Sequence, residues 1–175
     1  GSCPTIVVMK QSLIIEGEET GMYPVALYAE KTRLDVHFDE EVLKAAMFYG
    51  CSANYEVDRR TDFIFYFSKK KATLLLDWTP NVMQNPAKRG GFKPEYGTRS
   101  GDPFQLAQQL QICKAYVDGT DNEVYNGHVH RIKYPTILNQ LLKYNHLDRT
   151  KSDQVVALMM SLAPAFGEMQ KPIIP

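Results

Sequence analysis

Short strand-like segments alternate with amphipathic helical segments along this chain, and this alternation is the strongest constraint on its fold. Residues 5–10 and 23–30 are β-branched or apolar runs separated by a turn-rich patch, which predicts two strands joined in a hairpin. In residues 38–49 the apolar positions Val42, Ala45, Ala46 and Tyr49 recur at helical spacing. Acids occupy the first turn, and Gly50 stands where a C-terminal cap belongs. The pattern predicts a mixed α/β fold with a central sheet flanked by helices.

The middle of the chain continues this alternation. Residues 52–57 place Ala53, Tyr55 and Val57 on one side and Asn54 and Glu56 on the other, as in a strand with one buried face. A short helix is predicted over residues 60–68 and an aliphatic strand over residues 72–76. Residues 80–101 are rich in proline and glycine, which predicts a long irregular loop of the kind that is often functional.

Three further helices are predicted in the C-terminal half. Asp102-Pro103 has the pattern of an N-cap followed by proline at the first helical position, and the apolar stripe of the helix is Leu106, Leu110, Cys113 and Val117. Residues 129–132 form a short strand in this prediction, and Pro135 opens the next helix. The last helix begins near Ser152 and ends by Pro164; its predicted inward residues are Val156, Met159, Met160 and Ala163.

Size and composition are those of an ordinary soluble globular protein. The 175 residues suit one domain over 1–175, with a core at about 5–163 and a C-terminal tail at 164–175. Three cysteines without a Cys-x-x-Cys pair favour a reducing compartment over a disulfide framework or zinc ribbon. No apolar run approaches the roughly 20 residues of a membrane span, and no secretory leader is present, so we expect no membrane association.

Charge is balanced overall but uneven along the chain. There are 20 basic and 20 acidic residues, yet residues 59–99 carry a net charge of +6 and the remainder −6. Such a segment could hold a polyanion beside an acidic, cation-binding cluster, or it could be an ordinary solvated loop.

Familiar catalytic motifs are absent from the sequence. It has no P-loop, dinucleotide-binding, nucleophile-elbow or His-Glu-x-x-His pattern, which removes support for nucleotide hydrolysis and zinc proteolysis. His128 and His130 would share a face on a strand, but no third metal ligand stands nearby in the sequence.

Acidic residues are therefore the remaining candidates for chemistry. Glu56 and Asp58 end a predicted strand and Asp153 opens the last helix, and sites in α/β sheets form outside strand ends. The alternatives are a solvated strand face for Glu56 and a dipole-stabilising first-turn acid for Asp153. Asp35 is interpreted as a cap of the helix over residues 38–49.

Several segments, taken in order, resemble the nuclease domain of tailed-phage terminase large subunits. The N-terminal matches are residues 25–30, 34–49 and 54–56, and the C-terminal ones are residues 138–144 and the Asp-x-Val-x-Ala-Leu-type run in residues 152–158. Residues 63–67, 74–80 and 96–99 fit between them. The resemblance covers about residues 5–163.

This resemblance implies a ribonuclease-H-like fold whose acids hold two Mg²⁺ or Mn²⁺ ions and cut concatemeric viral DNA. Glu56 and Asp153 match two of the family's acids. Its third acid belongs on a strand before residue 5, so we expect this chain to lack that strand and to hold metal weakly, with Asp58 and Asp148 as auxiliary ligands.

The same resemblance implies a setting in the cytoplasm of the infected host, with double-stranded DNA, the terminase ATPase domain, the portal and the small terminase subunit as partners. Lys88, Arg89, Lys93 and Arg99 would contact DNA phosphates. The competing hypothesis is a truncated, non-catalytic ribonuclease-H-like module that docks to DNA or to the packaging machinery. A structure-selective resolvase or restriction-type nuclease is a third candidate, weakened because no Glu-x-Lys follows an acid-bearing strand.

Overall fold

An antiparallel hairpin opens the chain. The computed structural model describes residues 3–16, 18–31, 34–86, 95–119, 127–149 and 151–169. Strand β1 (Thr5–Lys10) leads into a small hairpin of β2 (Leu13–Ile15) and β3 (Glu18–Thr20), and β4 (Tyr23–Ala29) then returns alongside β1. The two predicted strands are thereby confirmed. The register shifts between Val8 and Met9, where Met9 faces Pro24, a residue that cannot donate to the ladder.

The first helix, α1 (Asp35–Tyr49), begins earlier than the apolar pattern predicted. Its N-cap is Leu34, which makes no side-chain capping bond, so Asp35 lies inside the first turn and its interpretation as a cap is wrong. The predicted C-cap is confirmed: Gly50 has φ 62°, in the left-handed region that favours glycine. The buried face is Asp39, Val42, Leu43 and Ala46.

An ion pair explains why an acid lies on the buried face of α1. Asp39 is 3% exposed and its Oδ1 accepts a 2.7 Å hydrogen bond from the Arg60 guanidinium. Arg60 lies just before α2 (Phe63–Lys69), whose Tyr66 hydroxyl donates to Glu40. Burial and that hydrogen bond raise the pKa of Tyr66 to about 12. Polar contacts thus hold α1 against α2.

The strand predicted over residues 52–57 is not continuous: the segment forms isolated bridges at Ala53 and Glu56, and Val57 already lies in a turn. Parallel bridges join Ala53 to Leu76 and Glu56 to Thr98, and the backbone of Tyr55 accepts from Thr98 N at 2.8 Å. Ala53 and Tyr55 pack against the apolar cluster of α1 and α2. This segment therefore lies beside the helices without forming a long ladder.

Two predicted strands are short 3₁₀ helices instead. Residues 72–76 form one at Thr73–Leu75, because α2 ends immediately before it and the chain must reverse through Lys71, which has φ 56°. Leu76 alone of this run enters a bridge. Residues 129–132 form another at Val129–Arg131, closed by local hydrogen bonds such as Arg131 N to His128 O. Aliphatic composition did not distinguish these tight turns from strands.

Helix α3 (Pro103–Asp118) begins as predicted but buries a different face. Asp102 accepts hydrogen bonds from Phe104 N and Gln105 N, which confirms the cap. The buried residues are Gln105, Gln109, Ile112, Cys113 and Tyr116, so only Cys113 of the predicted stripe is buried. The preceding loop donates to the carbonyl oxygen of each glutamine: Arg99 N donates to Gln105 Oε1 and Ser100 Oγ to Gln109 Oε1. Gln105 and Gln109 are therefore buried where the apolar pattern predicted that Leu106 and Leu110 would be.

The last two helices are α4 (Pro135–Leu142) and α5 (Asp153–Met169). Helix α5 continues through Pro164, so the prediction that it ends there is wrong; proline removes one N–H, and the freed Met160 carbonyl accepts from Asn54 instead. Met159, Met160 and Ala163 are buried as predicted, whereas Val156 is only half-buried. The rest of the inward face is Val155, Leu158, Leu162 and Ala165.

The extended segments lie between two helical layers. Ile6 of β1 packs with Ala53 and Tyr55 on the α1–α2 side. Val7, Met9 and Leu27 pack on the opposite side, against a cluster from α3, α4 and α5. The chain therefore has the mixed α/β organisation that the sequence predicts, with β1 and residues 53–57 in the middle layer. Among the described helices, none combines the length and the apolar character needed to cross a bilayer.

Candidate functional site

Glu56 lies at the end of the extended segment 52–57 and is held there by backbone bonds on both sides. Thr98 N donates to Tyr55 O at 2.8 Å, and Val57 N donates to Thr98 O at 3.0 Å. The Glu56 side chain is 19% exposed, and its closest cation is Arg59, with Nε 4.0 Å from Oε1. A largely shielded carboxylate with so distant a counter-ion favours a cationic ligand.

Asp153 is the first residue of α5 and links that helix to the start of β1. Its Oδ2 accepts a 2.6 Å hydrogen bond from the backbone N–H of Cys3. An acid in the first turn is also stabilised by the helix dipole. The Asp153 carboxylate is therefore held by α5, which carries it, and by the chain just before β1, whose Cys3 N–H donates to it.

The segment that carries Glu56 is in contact with α5, the helix that Asp153 opens. Asn54 contacts Met160, in the second half of the inward face of α5. Two residues later, Glu56 is close enough to Tyr144 to affect its titration, and Tyr144 packs near Val155 at the start of α5. Residues 54–56 therefore lie beside α5, with Asn54 bonded to Met160 and Glu56 in the neighbourhood of Tyr144.

The pKa of Tyr144 reflects the charged groups around it, including Glu56. Burial raises the pKa of its hydroxyl, the Arg149 guanidinium opposes that rise and the Glu56 carboxylate adds to it. Arg149 lies in the loop between α4 and α5, so this loop brings a positive charge close to the Tyr144 hydroxyl, which the Glu56 carboxylate also influences.

The two auxiliary acids have different surroundings. Asp58 Oδ2 accepts from Gly101 N at 2.6 Å, and its Oδ1 lies 3.2 Å from Arg99 Nη1, so it ties the turn after Glu56 to the start of α3. Asp148 lies in the loop before α5 and forms an antiparallel bridge with Asn145. Asp58 serves the fold, whereas Asp148 lies on the chain segment that leads to Asp153.

Carboxylate oxygens are the donors that Mg²⁺ and Mn²⁺ prefer, so the chemistry of Glu56 and Asp153 fits such an ion. A pair of ions requires more carboxylates than two. Over the described ranges, no group of three or more His, Cys, Asp or Glu side chains is arranged to hold a metal. The donor type therefore fits, while the described residues supply only part of a two-ion site.

His128 and His130 do not take the arrangement expected on a strand, because they lie at a 3₁₀ helix. Their rings are 6.3 Å apart at 89°, and His128 also meets Tyr116 edge-on at 6.0 Å. His128 is 2% exposed. His128 is therefore packed in the core beside α3, whereas His130 is exposed.

Of the four basic residues expected to contact DNA, three lie outside the described residues: Lys88, Arg89 and Lys93. Arg99 is described and is held by two acids, with Nε and Nη2 bonding Glu95 at 2.8 and 2.9 Å and Nη1 approaching Asp58. The hydrogen bonds to Glu95 raise the pKa of Arg99 above its usual range. Arg99 therefore forms ion pairs within the chain, with its side chain 42% exposed.

The sequence interpretation missed a buried polar network beside Glu56. Thr98, which is fully buried, donates from Oγ1 to Asn54 Oδ1 at 2.8 Å, and Asn54 Nδ2 donates to Met160 O at 2.7 Å. The available signal was the placement of Asn54 on the same strand face as Glu56. Nothing local in the sequence indicates its partners, which lie 44 and 106 residues away.

Comparisons of this chain with known proteins do not supply an assignment. No protein-family model, no curated protein and no solved structure matches it.

Proposed function

We propose that this chain is a metal-dependent DNA endonuclease domain of the terminase type, with a ribonuclease-H-like arrangement and with Glu56 and Asp153 as its metal ligands. The observation that carries the proposal is the contact between the elements that bear two acids 97 positions apart in sequence: Asp153 opens α5, and the segment that carries Glu56 bonds to the same helix through Asn54 and Met160. The resemblance in the order of sequence segments supports the same assignment.

Each acid would act through its position. Glu56 and Asp153 would hold Mg²⁺ or Mn²⁺, which when bound activates water and stabilises the leaving oxygen in phosphodiester hydrolysis. The protein's own contribution would be to hold each carboxylate in a defined position. The backbone bonds of Thr98 hold Glu56, and the hydrogen bond from Cys3 holds Asp153. No side-chain nucleophile is required.

The backbone hydrogen bonds between described residues leave an edge of the central layer where one more strand would pair. β1 pairs only with β4 in the described part of the chain. The backbone of Ala53 bonds to residues 75 and 77, and the backbones of Tyr55 and Val57 bond to Thr98. Because alternate residues of an extended segment bond to opposite sides, the backbone of Asn54 faces the other edge of the segment. No backbone hydrogen bond between described residues joins that edge to β1. The third acid implied by the resemblance belongs on a strand inserted there.

A second candidate is a docking or DNA-binding module that does not cut. It is favoured by the absence of a third metal-ligating side chain near Glu56 and Asp153 in the described ranges. In this case the chain would bind DNA, or the ATPase and portal components of a packaging motor, without cutting DNA. The two candidates make opposite predictions about cleavage.

Plasmid cleavage separates them. The 175-residue chain, and a longer version that includes an upstream strand with its acid, are incubated with supercoiled plasmid and Mn²⁺, with EDTA as the control. The enzyme hypothesis expects weak or no cutting by the shorter chain and clear nicking and linearisation by the longer version, abolished by EDTA. If both are inert while still binding DNA, the docking module is supported.

Neutralising the basic loop tests DNA contact independently of cleavage. Changing Lys88, Arg89 and Lys93 together to Gln is expected to lower the slope of log K against log salt by about 3, since each phosphate contact contributes roughly 0.9. Arg99→Gln is the matched control: because Arg99 already pairs with Glu95 and Asp58, it should lower stability and leave the slope unchanged. Fluorescence anisotropy with a labelled duplex at several salt concentrations measures both. An unchanged slope in the triple variant would contradict the contact.

A further inference from the structure

Helix α5 contains a proline, and one of its carbonyl groups therefore lacks its helical partner. In a regular α-helix the N–H of residue 164 would donate to the C=O of Met160, but Pro164 has no N–H. Met160 is 5% exposed, so water is a poor substitute. A buried carbonyl without a donor destabilises the folded state.

The side chain of Asn54 supplies the missing donor. Its Nδ2 lies 2.7 Å from Met160 O, and its Oδ1 accepts from the buried Thr98 hydroxyl at 2.8 Å. Both ends of one amide are therefore used, and the bond joins the central layer to α5 at a position that Pro164 creates. A helix with an ordinary residue at 164 would not need this contact.

The same bond joins the two elements that carry the candidate metal ligands. Glu56 follows Asn54 by two residues on the same strand face, and Thr98 brackets Glu56 through its backbone bonds to Tyr55 and Val57. Met160 is joined to Asp153 by seven residues of helix, a length of about 10 Å at 1.5 Å per residue. Fixing Met160 against Asn54 therefore fixes the distance from Asp153 to Glu56.

We propose that Asn54 and Pro164 act together as a positioning pair, in which the proline frees the Met160 carbonyl and the asparagine uses it to set α5, and hence Asp153, relative to Glu56. The inference rests on the proposed function in one respect: the acids whose separation it sets are the proposed metal ligands. Neither residue touches metal or DNA in this scheme.

Two variants separate positioning from stability. Asn54→Leu keeps the size of the side chain but removes both hydrogen bonds, leaving Met160 O unsatisfied. Adding Pro164→Ala returns an N–H that closes the helical bond to Met160 O and removes the cost of proline in a helix. The double variant should therefore recover stability without restoring the link to α5. Thr98→Val, which removes only the hydroxyl donor, is a milder third variant.

The first measurement is Mn²⁺ affinity, from the electron paramagnetic resonance signal of the free ion, alongside the Tm. We expect Asn54→Leu to lower the Tm and weaken Mn²⁺ binding about tenfold, and the double variant to recover the Tm while binding stays weak. Thr98→Val should show a smaller loss in the same direction. Ile137→Val, in the core of α4, is the control that lowers the Tm without changing Mn²⁺ affinity. Affinity that returns with the Tm, or that never changes, would overturn the positioning role.

A second measurement decides the case if the wild-type chain binds no Mn²⁺, a result that counts against the proposed function alone. Hydrogen exchange of the Val57 and Thr98 amides is followed in the same variants. Exchange at least tenfold faster in both Asn54→Leu and the double variant supports the positioning pair. Exchange that is normal in the double variant overturns it.

Discussion

Glu56→Gln and Asp153→Asn are each expected to reduce Mn²⁺-dependent plasmid cleavage by the longer version of the chain at least 100-fold, about 2.7 kcal/mol in the barrier. Each substitution keeps the shape of the side chain and one carbonyl oxygen but removes the negative charge that a divalent cation requires. DNA affinity without metal should stay within about twofold. Initial rates of nicking on agarose gels, together with duplex binding, measure both quantities.

Asp35→Asn provides the matched control for Asp153→Asn. Both residues are acids in the first turn of a long helix, so each substitution loses a similar dipole interaction of about 0.3–1 kcal/mol. Asp153→Asn keeps an oxygen to accept from Cys3 N, so its fold should survive. Only Asp153→Asn should lose cleavage. Retention of cleavage within tenfold of wild type by either site variant would contradict the assignment of metal ligands.

Elements with strong local signals could be predicted from the sequence. Gly50 ends α1 because its backbone takes the left-handed conformation, and Asp102 begins α3 because its side chain caps the free N–H groups. The alternation in residues 52–57 was equally informative, since Ala53 and Tyr55 pack on one side and Asn54 bonds on the other. These features depend on residues that are neighbours in the chain.

Features that depend on distant partners could not be predicted. Asp39 is buried with a hydrogen bond from Arg60, and Gln109 is buried with one from Ser100. Hydrophobic periodicity along the sequence gives no information about such distant partners. The continuation of α5 through Pro164 is a case of the same kind, because the donor to Met160 comes from Asn54, 106 residues away. The sequence shows that Pro164 lacks an N–H, which predicts the end of the helix, but it does not show that Asn54 replaces the missing donor.

The candidate site shows the same division. Strand-end and helix-start positions were enough to select Glu56 and Asp153 as candidates, and the segment that carries Glu56 bonds to α5, the helix that Asp153 opens, through Asn54 and Met160. Sequence position was not enough for Asp58 or Arg99. Their mutual ion pair and the bond from Gly101 N to Asp58 form only when the loop before α3 folds onto the turn after Glu56.

Arg60→Leu should lower the stability of the fold more than either Glu56→Gln or Asp153→Asn. It leaves the Asp39 carboxylate buried at 3% exposure without its guanidinium partner, and breaking a buried pair in this way costs about 3–5 kcal/mol. For a chain of this length that lowers the Tm by roughly 6–20 °C. Thermal unfolding at pH 7, followed by circular dichroism, measures the loss, and a fall of less than about 3 °C would contradict it.

The pH dependence and a second substitution identify the cause of that loss. Burial already raises the pKa of Asp39, opposed by Arg60, so removing Arg60 raises it further. An acid whose folded pKa exceeds its unfolded value binds protons more tightly when folded, and stability then increases as pH falls toward that pKa. Arg60→Leu should therefore lose less stability at pH 5 than at pH 7. Adding Asp39→Leu removes the unpaired charge and should recover most of the loss at both pH values. A loss that is independent of pH and is not recovered would instead identify the packing of Arg60 on Phe63, 5.9 Å away, as the cause.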